Sequence, residues 1–132
     1  MPRITDRVGD FIIRLKNAGD IALDTVSAPH SKFLEAIARK LQSLGYLKSV
    51  EVSKKMPKTI DVELAYNVNG EHMITGVKRI SKPGRRLYVH SKDAHSVKSG
   101  TGARIISTPK GILTDAEARK NRTGGEDLFI IW

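Results

Sequence analysis

Residues Gly100 to Trp132 read GTGARIISTPKGILTDAEARKNRTGGEDLFIIW. An apolar strand is predicted from Ala103 to Ser107, running into a polar corner, Ser107-Thr108-Pro109-Lys110-Gly111. The chain then turns through Ile112 and Leu113 into a short helix. Thr114-Asp115-Ala116-Glu117 has the spacing of a capping box at its start. Arg119, Lys120 and Arg122 follow near its end, where the helix dipole favours cations. Thr123-Gly124-Gly125-Glu126 comes next, and a second apolar strand, Leu128 to Trp132, closes the segment. Two hydroxyls, a lysine, paired glycines and a carboxylate are thus expected on two tight turns. Pairing of the two strands would bring those turns together.

A corner of this kind suits the sugar edges, bases and phosphates of a nucleic acid. Hydroxyls donate and accept, and backbone N–H groups at a glycine turn meet oxygens closely because no Cβ intervenes. Glu126, among basic residues, can accept from an exocyclic amine, which no Lys or Arg can do. Ser, Thr, Pro and Gly are also simply what turns are made of. Local chemistry therefore leaves an interface and a plain structural corner both open.

Upstream, six basic residues and no acid occur between Lys78 and Lys92. At the centre is Ile80-Ser81-Lys82-Pro83-Gly84-Arg85-Arg86-Leu87-Tyr88, where Pro-Gly sets a tight turn. That turn projects Arg85, Arg86 and Tyr88 in fixed directions. Guanidinium groups grip phosphates, and a tyrosine ring stacks on an unpaired base; a hairpin with charged flanks and a core tyrosine is the plainer alternative. His72 to Ile74 and Val77 to Ile80 read as extended, and Asp93 to Lys98 as a helical turn. Asn67-Val68-Asn69-Gly70 is a turn, and it sets the expected boundary between two small lobes, 1–66 and 67–132.

In the first half, Thr5 or Asp6 can cap a helix. Val8, Phe11, Ile12 and Leu15 form its apolar stripe, and Gly19 is expected to stop it. A strand from Ile21 to Ala28 leads through Pro29-His30-Ser31-Lys32 into a second helix. Ser31 caps that helix, Phe33, Leu34, Ile37, Leu41 and Leu44 form its buried face, and Gly45 ends it. A helix N-terminus beside Lys32 is either a phosphate site or an ordinary cap next to a solvated lysine. Tyr46 to Val52 and Thr59 to Tyr66 read as strands, the second with period-two alternation. Lys54-Lys55-Met56-Pro57-Lys58 joins them as a charged turn. The fold class is α+β: an N-terminal α-β-α-β-β lobe and a C-terminal, mostly β lobe with a short helix.

The composition agrees with a polyanion partner. The 132 residues carry a net charge of +9, and the pI is near 10.0. Residues 1–66 hold 11 basic and 8 acidic side chains, against 12 and 6 in residues 67–132, so the second half is the more basic. There are no cysteines, which removes disulfides and thiolate zinc sites. No apolar run spans a bilayer and no basic amphipathic helix with bulky aromatics is visible, so a membrane is not an expected partner. The N-terminus has no cleavage-site pattern, and the cytosol is the expected compartment.

No catalytic constellation emerges. His30, His72, His90 and His95 lack the i, i+4 spacing of a helical metal pair, and neither a phosphate-cradling Gly-x4-Gly-Lys loop nor a Gly-x-Ser-x-Gly elbow occurs. Asp115 and Glu117 could form an acid pair, but the capping box explains them better. The expectation is no enzyme, no metal and no cofactor, with a metal-dependent nuclease as a remote alternative.

The quoted segment resembles the signature of the eighth small-subunit ribosomal protein family, bacterial type. The matching residues are Gly102, Ile105, Ile106, Ser107, Thr108, Pro109, Lys110, Gly111, Ile112, Leu113, Thr114, Asp115, Ala118 and Arg119, with the family's Gly-Gly-Glu at Gly124, Gly125 and Glu126. The Ser81 to Tyr88 block, the Pro29 to Lys32 turn and the opening helix are similar to the family's too, so the likeness spans nearly the whole chain. Two positions depart from its pattern. Arg7 stands where the family usually has Pro, and Pro109 replaces a second Ser, removing a hydroxyl and an N–H from the corner.

The resemblance implies a structural constituent of the small ribosomal subunit that binds the central domain of 16S rRNA directly. It would fix an irregular RNA helix early in 30S assembly, with the fifth and twelfth small-subunit proteins as neighbours. Several members also repress translation of their own operon mRNA, which is a second expectation here. Carried onto this chain, Ser107, Thr108, Gly124, Gly125 and Glu126 would read the minor-groove and distorted-base region, and Tyr88 would pack on a base or ribose. Lys32, beside Ser31, together with Arg85, Arg86 and Lys110, would hold phosphates. A double-stranded-DNA module using the helix from Ser31 to Leu44 is the alternative from another class.

Overall fold

The computed structural model describes residues 6–97 and 100–132. Thr5, and Lys98 at the end of the expected helical turn, lie outside them. The chain is α+β. Helix α1 is Arg7–Asp20, β1 Thr25–Pro29, α2 Lys32–Ser43, β2 Leu47–Val52 and β3 Thr59–Leu64. Then follow β4 (Val77–Arg79), β5 (Tyr88–Val89), a 3-10 turn at Ser91–Asp93, β6 (Ala103–Thr108), β7 (Gly111–Thr114), α3 (Asp115–Asn121) and β8 (Gly125–Ile131). Two compact units result. One is Asp10–Thr75; the other joins Gly76–Trp132 to the residues before Asp10.

The Asp10–Thr75 unit has a three-stranded antiparallel sheet, order β1-β3-β2. Its core collects Phe11, Ile12 and Leu15 from α1, Leu34, Ile37, Ala38 and Leu41 from α2, and Ile60, Val62 and Leu64 from alternate positions of β3. Fully burying one such large side chain is worth roughly 1.5–3 kcal/mol. Its exposed i, i+4 ion pairs, Arg14–Asp10 and Arg39–Glu35, are screened by solvent, so apolar burial dominates.

Several local expectations are corrected here. Gly19 does not stop α1, which runs to Asp20. The terminating left-handed residue is Ala22, at φ 60°, and Leu23 N–H reaches back to Ala18 O at 2.8 Å, a closing bond of the Schellman kind. Gly19 instead clears the His72 ring, whose Nδ1 would lie 2.1 Å from an added Cβ. The strand expected from Ile21 starts only at Thr25, and Ile21 and Leu23 are exposed. Phe33 and Leu44 are not on the buried face of α2: Phe33 sits in its first turn, 41% exposed, and Leu44 is its C-cap. The buried stripe is Leu34, Ile37, Ala38 and Leu41, and Phe33 and Leu44 lie on its flank.

The other unit is built on β8, the longest strand. On one side it pairs with β6, which pairs in turn with β7; on the other it pairs with β4 and then β5. Ile112 and Leu113 therefore belong to a strand, because Pro109-Lys110 closes a two-residue hairpin instead of leading directly to the helix. Opposite Ile105–Ile106, β8 carries an extra residue, Leu128: Ile105 pairs with Phe129 but Ile106 pairs with Asp127. Ile106, Ala94 and Ala118 form a buried cluster on which Val89 packs. Asp6 caps α1 through Gly9 N–H and receives two hydrogen bonds from the Arg79 guanidinium, at 3.0 and 2.9 Å.

Between β4 and β5 the chain leaves the sheet and returns, and one buried hydroxyl ties the base of this excursion. Ser81, 0% exposed, donates to Leu87 O at 2.9 Å and accepts Leu87 N–H at 2.8 Å. Beyond it, Lys82 and Arg85 exchange both backbone hydrogen bonds, at 2.9 Å each, around Pro83-Gly84.

Ser81→Ala is expected to destabilise the protein by about 1–3 kcal/mol by orphaning these groups; a urea-unfolding midpoint equal to wild type would refute that. A second expectation concerns acid. Partial burial pushes the Asp6 carboxyl up, but hydrogen bonds from Arg79 and Gly9 and the charges of Arg79 and Lys82 outweigh it and leave the pKa below its ordinary value. A depressed folded-state pKa gives stability that is present above the unfolded value and lost as pH falls through the folded one. The stability gap between wild type and Asp6→Asn should be constant near neutral pH and close as pH drops below ~3.9, as read by urea titrations across that range.

Candidate nucleic-acid interface

The register of β8 places three of the expected residues in one line. Glu126 pairs with Tyr88 of β5 on one side and with Ser107 of β6 on the other. Cross-strand partners share a face and sit about 4.5–5.5 Å apart, so Tyr88, Glu126 and Ser107 form a row across three strands. Tyr88 is 72% exposed, which excludes the core-tyrosine alternative. The Ser107 hydroxyl has no partner among the described residues and is free to donate and accept. Glu126 is sheltered, and its Oε1 lies 3.4 Å from Nη1 of the exposed Arg86. That long contact leaves the carboxylate with acceptor capacity.

The paired glycines make this row possible, though not as a turn. Gly125 and Glu126 are already β8, and the reversal before them is made by Arg122, left-handed at φ 51°. Neither Gly124 nor Gly125 has a positive φ. Their function is close approach. A Cβ on Gly124 would lie 2.4 Å from Val89 O, and one on Gly125 would lie 2.0 Å from Ser107 O. The start of β8 thus runs between the backbones of residues 89–91 and 107–108 with no room for a side chain.

Other expected residues frame the row. Thr108 closes the β6–β7 hairpin: its hydroxyl donates to Gly111 O at 2.7 Å and accepts Lys110 N–H at 3.1 Å. This engagement fixes the exposed Lys110 at the tip. Arg85 is exposed at the Lys82–Arg85 turn. Arg85 and Lys110 have no ion pair among the described residues. Ser31 and Lys32 belong to the Asp10–Thr75 unit. Ser31 caps α2, accepting Leu34 N–H at 3.1 Å, and Lys32 is exposed beside it.

The supporting residues were less visible in sequence. Ser81 lies in the quoted Pro-Gly block, but only the structure shows its hydroxyl buried. Arg119, expected to serve the helix dipole, pairs with the buried Asp115 at 3.0 Å and hydrogen-bonds Ala94 O. Asp115 also accepts Arg104 N–H at 3.1 Å. The Arg104 guanidinium binds the buried Asp127, whose pKa is raised by burial against the opposing pull of Arg104. These pairs brace α3 and the 3-10 turn on the sheet, and they take two aspartates out of the surface field. The capping box forms as expected, with Thr114 and Glu117 bonded reciprocally.

Among the described residues no group of three or more His, Cys, Asp or Glu could hold a metal, and no helix is long and apolar enough to cross a membrane. His30 and His72 each pair with a single carboxylate, Glu35 and Asp20.

The family profile described as ribosomal protein S8 matches residues 6–132. The small ribosomal subunit protein uS8 of Halothermothrix orenii is 43% identical over 130 residues, covering 98% of each chain. Those of Mycoplasmopsis synoviae and Lactococcus lactis subsp. cremoris are 46% and 45% identical, with the same 98% coverage of both chains. A family match over nearly the whole length, with relatives well above 40% identity, shows that the chain belongs to the ribosomal protein S8 family, whose members are structural proteins and not enzymes.

Proposed function

We propose that this chain, a cytoplasmic constituent of the small ribosomal subunit, binds the central domain of 16S rRNA and holds one irregular RNA helix in its folded shape during 30S assembly. The observation that carries the reading is the Tyr88–Glu126–Ser107 row, with an exposed ring at one end and a free hydroxyl at the other. A-form RNA hides its base edges in a deep, narrow major groove, so a protein reads shape, 2′-OH groups and unstacked bases. In this reading Ser107 and Glu126 hydrogen-bond base and ribose edges, and Tyr88 packs on a base or sugar. Gly124 and Gly125 serve the RNA indirectly, by letting β8 close against its neighbours so that the row forms. Arg85, Arg86 and Lys110 hold phosphates around the row, and Lys32, beside the Ser31 cap, holds one from the other unit. Thr108 acts through the hairpin it closes.

An mRNA segment mimicking the same helix would meet the same groups, so repression of the chain's own operon mRNA is part of the proposal. The fifth and twelfth small-subunit proteins are the proposed neighbours within the particle.

Competition titrations with a central-domain rRNA hairpin, a scrambled RNA and a DNA hairpin test the reading, which requires preference for the first. Ser107→Ala and Glu126→Ala should each cost on the order of 1–3 kcal/mol of discrimination, by analogy with good base contacts; equal losses on cognate and scrambled RNA would exclude base reading. Arg85→Ala and Lys110→Ala should instead weaken both RNAs and flatten the salt dependence, each by up to about 0.9 in slope for one neutralised phosphate. An unchanged slope would remove that residue from the phosphate set.

A further inference from the structure

We propose that Arg104 is a positioning residue for the Tyr88–Glu126–Ser107 row. By holding Asp127 on the inner side of the sheet, it determines which of two adjacent carboxylates, Glu126 or Asp127, stands opposite Ser107. This deepens the proposed function and rests on that reading for what the row binds.

Glu126 and Asp127 follow one another in β8, so only one of them can take the place in the row. Pairing of β6 with β8 runs Ala103↔Ile131, Arg104↔Ile130 and Ile105↔Phe129, then skips Leu128 and resumes at Ile106↔Asp127 and Ser107↔Glu126. Continued without the skip, the same ladder would set Leu128 opposite Ile106, Asp127 opposite Ser107 and Glu126 opposite Thr108. Leu128, Phe129 and Ile131 are buried as the strand stands. In the regular ladder Leu128 would face the buried Ile106 and would be covered there as well. Apolar burial therefore separates the two arrangements little. The skipped one also leaves a residue unpaired, so another interaction has to favour it.

Arg104 provides that interaction. Its backbone N–H is tied to Asp115 Oδ1 at 3.1 Å, and its guanidinium donates to Asp127 Oδ2. Asp127 pairs with Ile106, two residues along β6 from Arg104, a diagonal on one face that a long side chain spans. In the regular ladder Glu126 would stand opposite Thr108, four residues from Arg104 and ~13 Å away at the rise of a strand, beyond the reach of its guanidinium. Arg104 can thus hold Asp127 inside and cannot hold Glu126 there. Asp127 Oδ1 is buried with no hydrogen-bond partner among the described residues, so the hold on this carboxylate depends on Arg104. A buried ion pair of this kind adds little stability over apolar side chains of similar volume; its best-attested use is to select one arrangement over another.

The test uses the full-length chain with Arg104→Met, Arg104→Gln and Arg104→Met/Asp127→Leu. Cross-strand backbone NOEs from Ser107 report the register, and competition between a central-domain rRNA hairpin and a scrambled RNA reports discrimination. In wild type Ser107 should contact Glu126. Arg104→Met should move that contact to Asp127. The double variant should bring it back to Glu126, because a leucine stays on the inner side without a cation. Glu126→Ala should lower the preference for the cognate hairpin about tenfold in the wild-type and double-variant backgrounds, and less than about twofold in Arg104→Met. Arg104→Gln, a shorter polar side chain without the charge, repeats the comparison should the methionine variant not fold. Ser107–Glu126 contacts kept in a folded single variant would overturn the proposal and leave the register to the close approach at Gly124 and Gly125. Both single variants unfolded would overturn it too, since Arg104 would then support the fold and not choose the register. A wild-type background in which Glu126→Ala costs no preference would count against the proposed function alone, because the NOEs decide the role of Arg104 without RNA.

Discussion

The sheet of the Gly76–Trp132 unit depends on a backbone approach that leaves no space for a β-carbon. At Gly124 and Gly125 the chain enters β8 between two other backbones, with Val89 O on one side and Ser107 O on the other. Dispersion and ladder hydrogen bonds both require this distance. Widening it by one methyl group would separate β5 or β6 from β8 and break the line through Tyr88, Glu126 and Ser107. The remaining devices hold what this approach creates. Ser81 ties the base of the arginine-bearing turn, and Thr108 ties the lysine-bearing one. The polar groups consequently stand on paired strands and closed hairpins, an arrangement that lowers the ordering cost of binding.

Charge placement follows a similar economy. The acids of the second half are mostly turned inward or engaged. Asp115 and Asp127 pair with Arg119 and Arg104, Glu117 completes the helix cap, and Glu71 bonds Asn67. Arg85 and Lys110 stay exposed and uncompensated. The outward field is thus more positive than the composition alone suggests. Glu126 keeps a single negative group at the centre of that field, where an amine donor on a base would be distinguished from a phosphate.

Much of this was legible in the residues. The i, i+3, i+4 stripe of α1, the Ser31 and Thr114 caps and the alternation of β3 are local codes, and each forms where its code lies. What was missed is what neighbours decide. Gly-Gly before Glu126 reads as a turn, because the sequence does not show the strands flanking it. Phe33 reads as part of an apolar stripe, because a helical period cannot say where the packed surface ends. Ile112 and Leu113 read as a bend into a helix, because Pro-Lys hairpins are less distinctive than Asn-Gly ones. The candidate site was legible largely through the family resemblance; its serine, glutamate and tyrosine are separated by up to 38 positions, and only strand register makes them adjacent.

The extra residue in β8 has a consequence for how this strand reconciles two demands. Side chains along a regular strand alternate between faces, so positions an odd number apart look in opposite directions. Phe129 and Glu126 are an odd number apart, yet Phe129 pairs with Ile105 and Glu126 with Ser107, which stand on the same side of β6. The inserted Leu128 changes the parity between them. A strand anchored by buried phenylalanine and isoleucine can therefore present its carboxylate on the face set by that anchor, whereas the same residues paired without the bulge would turn the carboxylate to the side of the Ile106 and Ala118 cluster.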